Sequence, residues 1–458
     1  MTMDMAADLG LLLPEIATVI TGVLALIAGM LRRHAWAMPI TVTGLLLATA
    51  LTLPLVGEDT SIFLGTFRVD DLSVWAKLIL LPTTALISVL AGLDVRGSDR
   101  EATVHSLLSL TTVGALALAG AGDVMFLVLG TLLSSLGSFA LVAYPRDGRA
   151  TEAAMKYFVF GSVTSAVMIF GLTFWFGGTG STLLADLDQL DGKPLAAGVG
   201  LVAVLVGLGY KAAIVPFHFW APDAYDGGPI AVAAWLSIVP KVGALFALAT
   251  VVRFLPAETV DWRLLVAVLA AISMTYGNLA ALAQTSVVRL LAYSSIAQSG
   301  YFLLGVVAIG RDDLAIQSLV VFAAAYAAMS LGAFAIVRDI GRDLTSFSGL
   351  GRGDVWAGAA MALFLFSLVG IPPTAGFLGK LLLFGAAVDS GYTWLAVIAI
   401  LNSVLSLAVY LRIIVPMYQA SAAATRSERS TTLVWGIALV LIVAIGIFAQ
   451  TITGALPG

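Results

Sequence analysis

Residues 204–218 read VLVGLGYKAAIVPFH and residues 366–380 read FSLVGIPPTAGFLGK, two apolar runs that each hold a lysine beside proline. Proline removes one hydrogen bond from a helical ladder, and its ring clashes with the carbonyl four residues earlier, so Pro216, Pro372 and Pro373 predict interrupted helices. A membrane tolerates interrupted helices where the freed backbone groups line a polar cavity, and transporters bind ions in such cavities. The two runs predict an all-α polytopic membrane protein with two discontinuous helices.

The composition of the whole chain agrees with a membrane location. Of 458 residues, 60% are hydrophobic and 11% are charged, which is very unusual for a water-soluble protein. At roughly 30 residues per span and connection, the chain has room for about fourteen membrane helices. The absence of cysteine excludes an iron–sulfur cluster or a zinc–thiolate site in this chain. The formal net charge of −4 argues against a nucleic-acid partner.

Apolar runs bounded by charges, glycine and proline predict fourteen individual spans. They cover residues 9–31, 36–56, 72–93, 104–121, 124–144, 153–176, 195–220, 230–254, 262–283, 288–309, 314–337, 356–386, 392–415 and 431–452. No connection is long enough to fold separately, so we expect one transmembrane domain over residues 1–458.

The order of the spans predicts a duplication and an orientation. The two interrupted spans, the seventh and the twelfth, are five apart and cross the membrane in opposite directions, which is typical of an inverted repeat. We align helices 4–8, about residues 104–254, with helices 9–13, about residues 262–415, and leave helices 1–3 and 14 as flanking elements. Thirteen of the eighteen basic residues outside the spans follow odd-numbered spans, which favours a cytoplasmic position for those connections and an outer position for both termini.

Five of the six lysines lie inside predicted spans, whereas all seventeen arginines stay in connections or at helix ends. A charged side chain at the bilayer centre costs at least about 2.5 kcal/mol, and lysine, unlike arginine, can lose its proton when buried. A row of titratable amines therefore indicates proton movement. Lys241 lies about eleven residues into its span, too deep to reach the headgroups, and Lys211 and Lys380 are deep as well.

Three further titratable residues have two interpretations each. Lys77 lies about one and a half turns inside its span, where snorkelling to the headgroups is a sufficient account, and a functional role stays the alternative. Lys156 is similarly shallow, with both interpretations open. His218 follows Lys211 by seven residues, which would place it on nearly the same face of a continuous helix. It could relay a proton or act as a hydrogen-bonding plug.

Several motifs together resemble the N-type antiporter-like membrane subunit of bacterial NADH-quinone oxidoreductase, complex I. They are LPEI at 13–16, KYF at 156–158, the segment 210–225 around VPFHFWAPDAY, GNLAAL at 277–282, RLLAYSSI at 289–296 and GIPPTAGF at 370–377. The likeness extends over essentially the whole chain.

The resemblance implies a proton-pumping unit with a polar axis at the membrane midplane, coupled to quinone reduction in partner subunits. Carried over by motif, Lys211 is the central amine of the first half-channel, Lys241 the connecting residue and Lys380 the amine of the second half-channel. His218 and Lys156 belong to the same axis. The resemblance also implies that FMN, the iron–sulfur clusters and the NADH and quinone sites belong to other subunits, and that this chain binds no cofactor or metal. The expected location is the bacterial plasma membrane.

One position departs from the family pattern. The fifth helix of the family carries a glutamate that pairs with the first-half lysine, and Leu132 stands at that position here. Burial without an opposite charge favours the neutral amine, so we hypothesise that Lys211 is predominantly neutral at rest.

The sequence leaves two alternatives to a proton-pumping complex I subunit. One is a subunit of a multisubunit cation/proton antiporter, which would share the lysines and the broken helices. The other is a pump-inactive paralogue kept as a structural part of the membrane arm, which the loss of the glutamate favours.

Overall fold

A computed structural model describes residues 5–419 and 429–448, and these residues are almost entirely helical. The first half holds α1 (Met5–Leu11), α2 (Leu13–Met30), α3 (Ala37–Thr52), α4 (Asp71–Val95), α5 (Glu101–Ala119), α6 (Val124–Ala143), α7 (Gly148–Thr179), α8 (Pro194–Ala212), α9 (Trp220–Gly227) and α10 (Ile230–Phe254). The second half holds α11 (Trp262–Leu282), α12 (Val287–Ala308), α13 (Leu314–Ile340), α14 (Leu350–Gly353), α15 (Val355–Val369), α16 (Ala375–Asp389), α17 (Thr393–Gln419) and α18 (Arg429–Ile447).

Twelve helical segments in the described residues are long and apolar enough to cross a membrane. They correspond to twelve of the fourteen predicted spans. The other two predicted spans coincide with α15 and α16, which are the two halves of the twelfth span, and with α18, whose predicted end at residue 452 lies outside the described residues. The polytopic all-α class is confirmed, while the number fourteen stays a prediction.

Both predicted interruptions are present. α8 ends at Ala212, and the next residue, Ala213, adopts the left-handed conformation with φ of 54°. α15 ends at Val369, where Gly370 adopts φ of 94°, a region in which only glycine avoids a Cβ clash. The peptide bonds before Pro216 and Pro373 are cis. Each apolar run is thus split near its middle, with backbone carbonyls released into the interior.

Proline alone does not produce these breaks. Pro82, Pro240 and Pro416 lie inside α4, α10 and α17, and those helices continue through them. A kinked helix loses only one or two backbone hydrogen bonds, and its neighbours can compensate. A rule that placed a helix break at every proline within a span would therefore wrongly break these three continuous helices.

The charged connections separate to the two ends of the bundle. At one end, Arg289 pairs with Asp223 at 2.8 Å, and Arg149 pairs with Asp226; all four follow odd-numbered spans. At the other end, in the connection between the second and third spans, Arg68 pairs with Asp70 at 3.1 Å. This separation agrees with the alternation expected from the sequence.

The connection before α4 contains structure that the sequence analysis did not predict. β1 (Thr60–Ile62) pairs antiparallel with β2 (Phe67–Val69) in register Ser61 to Arg68. Phe67 is buried and packs edge-on against Phe126 at the start of α6, so the hairpin closes this end of the bundle.

α10, α12 and α13 form the centre of the molecule, and almost all of their residues are buried. Close helix contact depends on small residues here: a Cβ at Gly277 of α11 would lie 2.6 Å from the backbone nitrogen of Ala297 in α12. The central helices are therefore shielded from lipid, and polar side chains on them face protein.

Candidate functional site: a buried polar axis

Three lysines occupy the interior of the bundle. Lys211 and Lys241 have no exposed surface, and Lys380 is 2% exposed. Lys211 lies in the last turn of α8, Lys241 near the middle of α10 and Lys380 in the second turn of α16. The structure therefore places all three amines inside the protein, where the sequence predicts them.

Lys380 is held by the broken end of α15. Its Nζ donates to the carbonyls of Leu368 and Val369, both at 2.9 Å, and to Ser403 Oγ at 3.3 Å. The same ammonium group lies 3.9 Å from the ring centroid of Tyr301. A helix C-terminus carries a partial negative charge, and an aromatic face also attracts a cation, so this environment stabilises a protonated amine without a carboxylate.

Lys241 is held by α12. Its Nζ donates to the backbone carbonyl of Ser295 at 2.6 Å and to Ser295 Oγ at 2.5 Å. That hydroxyl also accepts from Tyr326 at 3.1 Å and bonds Tyr225 at 3.3 Å. Four helices thus converge on one serine, and the lysine is fixed at their junction.

Lys211 differs from Lys241 and Lys380 in its hydrogen bonding. Its Nζ has no hydrogen-bond partner among the described residues. The carbonyls released by the end of α8 are taken by other groups: Tyr210 O accepts from Trp220 Nε1 at 2.8 Å, and Ala212 O accepts from Ser299 Oγ at 2.5 Å. The position predicted to hold a carboxylate, Leu132, is partly exposed on α6. Lys211 is therefore the amine with the fewest direct constraints.

A short polar run in α12 connects the environments of all three lysines. Ser299 reaches the carbonyl at the broken end of α8, and Ser295 binds Lys241. Gln298 Nε2 donates to Leu368 O at 3.1 Å, the carbonyl that Lys380 also uses. Three residues within one and a half helical turns thus join the first break, the central lysine and the second break.

The sequence analysis did not identify this run. The segment 294–299 reads SSIAQS inside an otherwise apolar span, and only its first three residues belong to the RLLAYSSI motif that carries the resemblance. Ser294, Ser295, Gln298 and Ser299 are all at most 3% exposed. Four polar residues in six, within a predicted membrane helix, are the signal that could have found them, because buried polar groups need partners.

The structure corrects the argument for His218. α8 stops at Ala212, so His218 is not on a continuous helix with Lys211, and the seven-residue spacing does not bring the two side chains to one face. His218 is 3% exposed, lies in the break, and contacts the ring of Tyr276 with centroids 4.8 Å apart. Its place on the axis stays a hypothesis that rests on the resemblance.

The snorkelling interpretation of Lys77 is wrong. Lys77 has no exposed surface, and its Nζ lies 2.9 Å from Oε1 of Glu15, whose side chain is 10% exposed. An amine that reached the headgroups would be exposed. Depth along one helix did not reveal the partner, because Glu15 comes from α2, two spans earlier.

Lys156 lies apart from the buried lysines. Its side chain is 52% exposed and pairs with Glu152 at 2.8 Å and Asp223 at 3.1 Å on the outside of the bundle. This environment is that of a surface ion pair rather than of a buried relay.

We expect Lys156→Gln to change the number of protons moved per quinone by less than about twofold, because exposed ion pairs contribute little and Asp223 keeps its bond to Arg289. The measurement is proton uptake by vesicles that contain the assembled complex. A loss as large as that of a buried lysine variant would return Lys156 to the axis.

Two broken helices, buried amines and a polar run that joins them define the class of an antiporter-like membrane subunit. The family model for the transmembrane region of NADH:quinone oxidoreductase and Mrp antiporter proteins matches residues 121–406. The chain belongs to this family, and within it to the N-type subunits.

Individual relatives agree. The chain is 41% identical over 447 residues to NADH-quinone oxidoreductase subunit N 1 of Streptomyces griseus, covering 94% of this chain and 93% of that protein. It is 38% identical over 437 residues to F(420)H(2) dehydrogenase subunit N of Methanosarcina mazei, covering 89% and 88%. A chain of respiratory complex I from Thermus thermophilus superposes with a TM-score of 0.85 at 31% identity, covering 97% of this chain and 99% of that one.

Proposed function

We propose that this chain is a proton-translocating subunit in the membrane arm of a quinone oxidoreductase of the bacterial plasma membrane. The observation that carries the proposal is the polar run of α12, which touches the broken end of α8, Lys241 and the carbonyl shared with Lys380. A connected set of buried amines and hydroxyls is what proton transfer along the membrane plane needs. We place FMN, the iron–sulfur clusters and the quinone site in partner subunits, because the relatives are single subunits of larger oxidoreductases and this sequence has no cysteine to hold a cluster.

The proposed path begins at Lys211, passes Lys241 and ends at Lys380. Lys211 precedes its helix break and Lys380 follows the other break, so the two amines are not at equivalent positions of the proposed inverted repeat of residues 104–254 and 262–415. The end of the bundle that holds Arg149 and Arg289 faces the cytoplasm in this proposal, because basic residues are enriched in cytoplasmic connections.

The test uses the assembled complex in vesicles. Lys211→Met and Lys380→Met are expected to lower the number of protons moved per quinone while quinone reduction continues, because methionine keeps the length of the side chain but cannot carry a proton. Lys193→Met is the matched control, since Lys193 lies in a connection and its Nζ donates to Gly178 O at 2.7 Å at an exposed position. An unchanged ratio in both buried variants would favour a structural role.

Two other functions keep specific support. The loss of the carboxylate at Leu132 favours a pump-inactive subunit that completes the membrane arm, as does the Lys211 amine, which has no hydrogen-bond partner in the described part of the chain. The family model also covers Mrp antiporter proteins, which favours a subunit of a cation/proton antiporter without redox chemistry. Purification of the native assembly distinguishes an oxidoreductase subunit from an antiporter subunit. Flavin and iron in the assembly support an oxidoreductase, and their absence supports an antiporter.

A further inference from the structure

A second line of buried polar residues lies between α4 and α5, apart from the lysines. Thr84, Ser88, His105, Ser109 and Thr112 have no exposed surface at all. The spacing of four in α4, and of four and then three in α5, places each set on one face of its helix. These five residues are called the polar seam below.

Two separate hydrogen-bonded pairs cross the seam, and the threonine hydroxyls also bond carbonyls of their own helices, Thr84 to Leu80 O and Thr112 to Leu108 O. Ser88 Oγ lies 2.7 Å from His105 Nδ1, and Thr84 Oγ1 lies 3.1 Å from Thr112 Oγ1. Trp235 Nε1 donates to Thr112 Oγ1 at 3.2 Å. Trp235 lies in α10, six residues before Lys241, so the seam ends on the helix that carries the central lysine. An indole N–H only donates, and it therefore fixes the position of Thr112 rather than passing a proton.

Two atoms of the seam have no hydrogen-bond partner in the described part of the chain, namely His105 Nε2 and Ser109 Oγ. Buried polar atoms are normally satisfied by protein or by water, and a purely structural histidine would be expected to use both nitrogens. The imidazole is thus bonded to a hydroxyl through Nδ1, while its Nε2 has no hydrogen-bond partner among the described residues.

The far end of the seam approaches the surface at His34. A Cβ placed on Gly29 would lie 2.5 Å from Cβ of Ala102 and 3.8 Å from His34 Nδ1, and Ala102 is one turn before His105 on α5. His34 is partly exposed and follows the first span, so it lies at the end of the bundle that we place in the cytoplasm.

We propose that the polar seam is a proton-entry branch that carries protons from the cytoplasmic side, past His105, as far as Thr112 beside the helix of Lys241. The inference rests on the proposed proton translocation and adds an entrance to it. Nε2 of the imidazole takes a proton from water while Nδ1 releases its own proton to Ser88, whose hydroxyl proton moves on in the same step. The imidazole then returns to its Nδ1–H tautomer before the next proton enters. Ser88, Thr84 and Ser109 then pass it inward with water, since hydroxyls both donate and accept.

The experiment compares His105→Gln with His105→Phe in the assembled complex in vesicles, with protons per quinone and quinone reduction measured together. The glutamine amide can bond Ser88 but cannot carry a proton. If His105 relays protons, both variants slow proton delivery by roughly 10-fold or more while quinone reduction continues. If His105 only fills and bonds the interior, glutamine keeps the full ratio, and that result overturns the proposal.

A second pair of variants keeps the test sharp if His105→Phe does not assemble. Thr84→Val is expected to slow proton delivery, whereas Thr83→Val is not. Both threonine hydroxyls bond the carbonyl four residues earlier on α4, but Thr84 Oγ1 also lies 3.1 Å from Thr112 Oγ1 of the seam. Equal ratios for the two threonine variants count against the seam.

Lys241→Met is measured in parallel and separates the two proposals. Loss of proton transfer in Lys241→Met with full proton transfer in His105→Gln contradicts only the seam. Full proton transfer in Lys241→Met contradicts the proposed function itself.

Discussion

Lys241→Met is expected to slow proton transfer through this chain by about 100-fold or more, the size of effect that removal of a positioned proton carrier has in enzymes. Lys241 lies at the junction of four helices, and its Nζ bonds Ser295 at 2.5 and 2.6 Å. Without the amine, the serine and its tyrosine partners remain, but no group of the described chain at that junction titrates readily near neutral pH. The measurement is the initial rate of proton uptake by vesicles that contain the assembled complex during quinone reduction.

Lys241→Arg separates relay from charge. Arginine keeps the positive charge and several donors but effectively cannot lose its proton. A relay therefore fails in both variants, whereas a lysine that only holds helices together is rescued by arginine. Ser295→Ala is the graded companion, with a loss of roughly 10-fold, because the lysine keeps its bond to the backbone carbonyl while its bond to the serine hydroxyl is removed. Full proton transfer in Lys241→Met would remove this residue from the mechanism.

The interruptions of the two long helices could be predicted because their cause is local. Pro216, Pro372 and Pro373 indicate the two breaks in the sequence. The depth of Lys211 and Lys380 in the membrane follows from the number of residues between each lysine and the ends of its span. The continuity of α10 through Pro240 shows the limit of this argument. Whether a proline bends or ends a helix depends on which neighbours satisfy the freed carbonyls, and those neighbours come from other helices.

The polar contacts of the lysines could not be predicted, since they join segments far apart in the chain. Gln298 meets a carbonyl 70 residues away, and Lys241 meets a serine 54 residues away. The pattern of one span says that a polar group is buried but not which partner it has. The snorkelling interpretation of Lys77 fails for the same reason. The sequence shows how deep Lys77 lies in its span but does not show that Glu15 is its partner.

The Glu15–Lys77 pair is expected to give the largest stability effect of any substitution considered. Removing one partner of a buried ion pair leaves an uncompensated charge and costs about 3–5 kcal/mol, whereas replacing both with apolar groups is often nearly neutral. Glu15→Gln and Lys77→Met alone should each destabilise the chain by that amount. The double variant should recover most of the loss. The measurement is thermal dissociation of the subunit from the purified complex, compared across the four members of the cycle.

The pair joins α2 to α4, and this placement decides how the cycle is interpreted. α2 and α3 precede the proposed repeats, and in the described structure the buried ion pair supplies a specific polar link between α2 and the rest of the bundle. If the pair only fixes α2, the double variant restores stability and proton transfer together. If it also carries protons, stability returns while proton transfer stays low, since methionine and glutamine do not titrate. Additive losses in the double variant would mean that the two side chains do not interact, which their separation of 2.9 Å argues against.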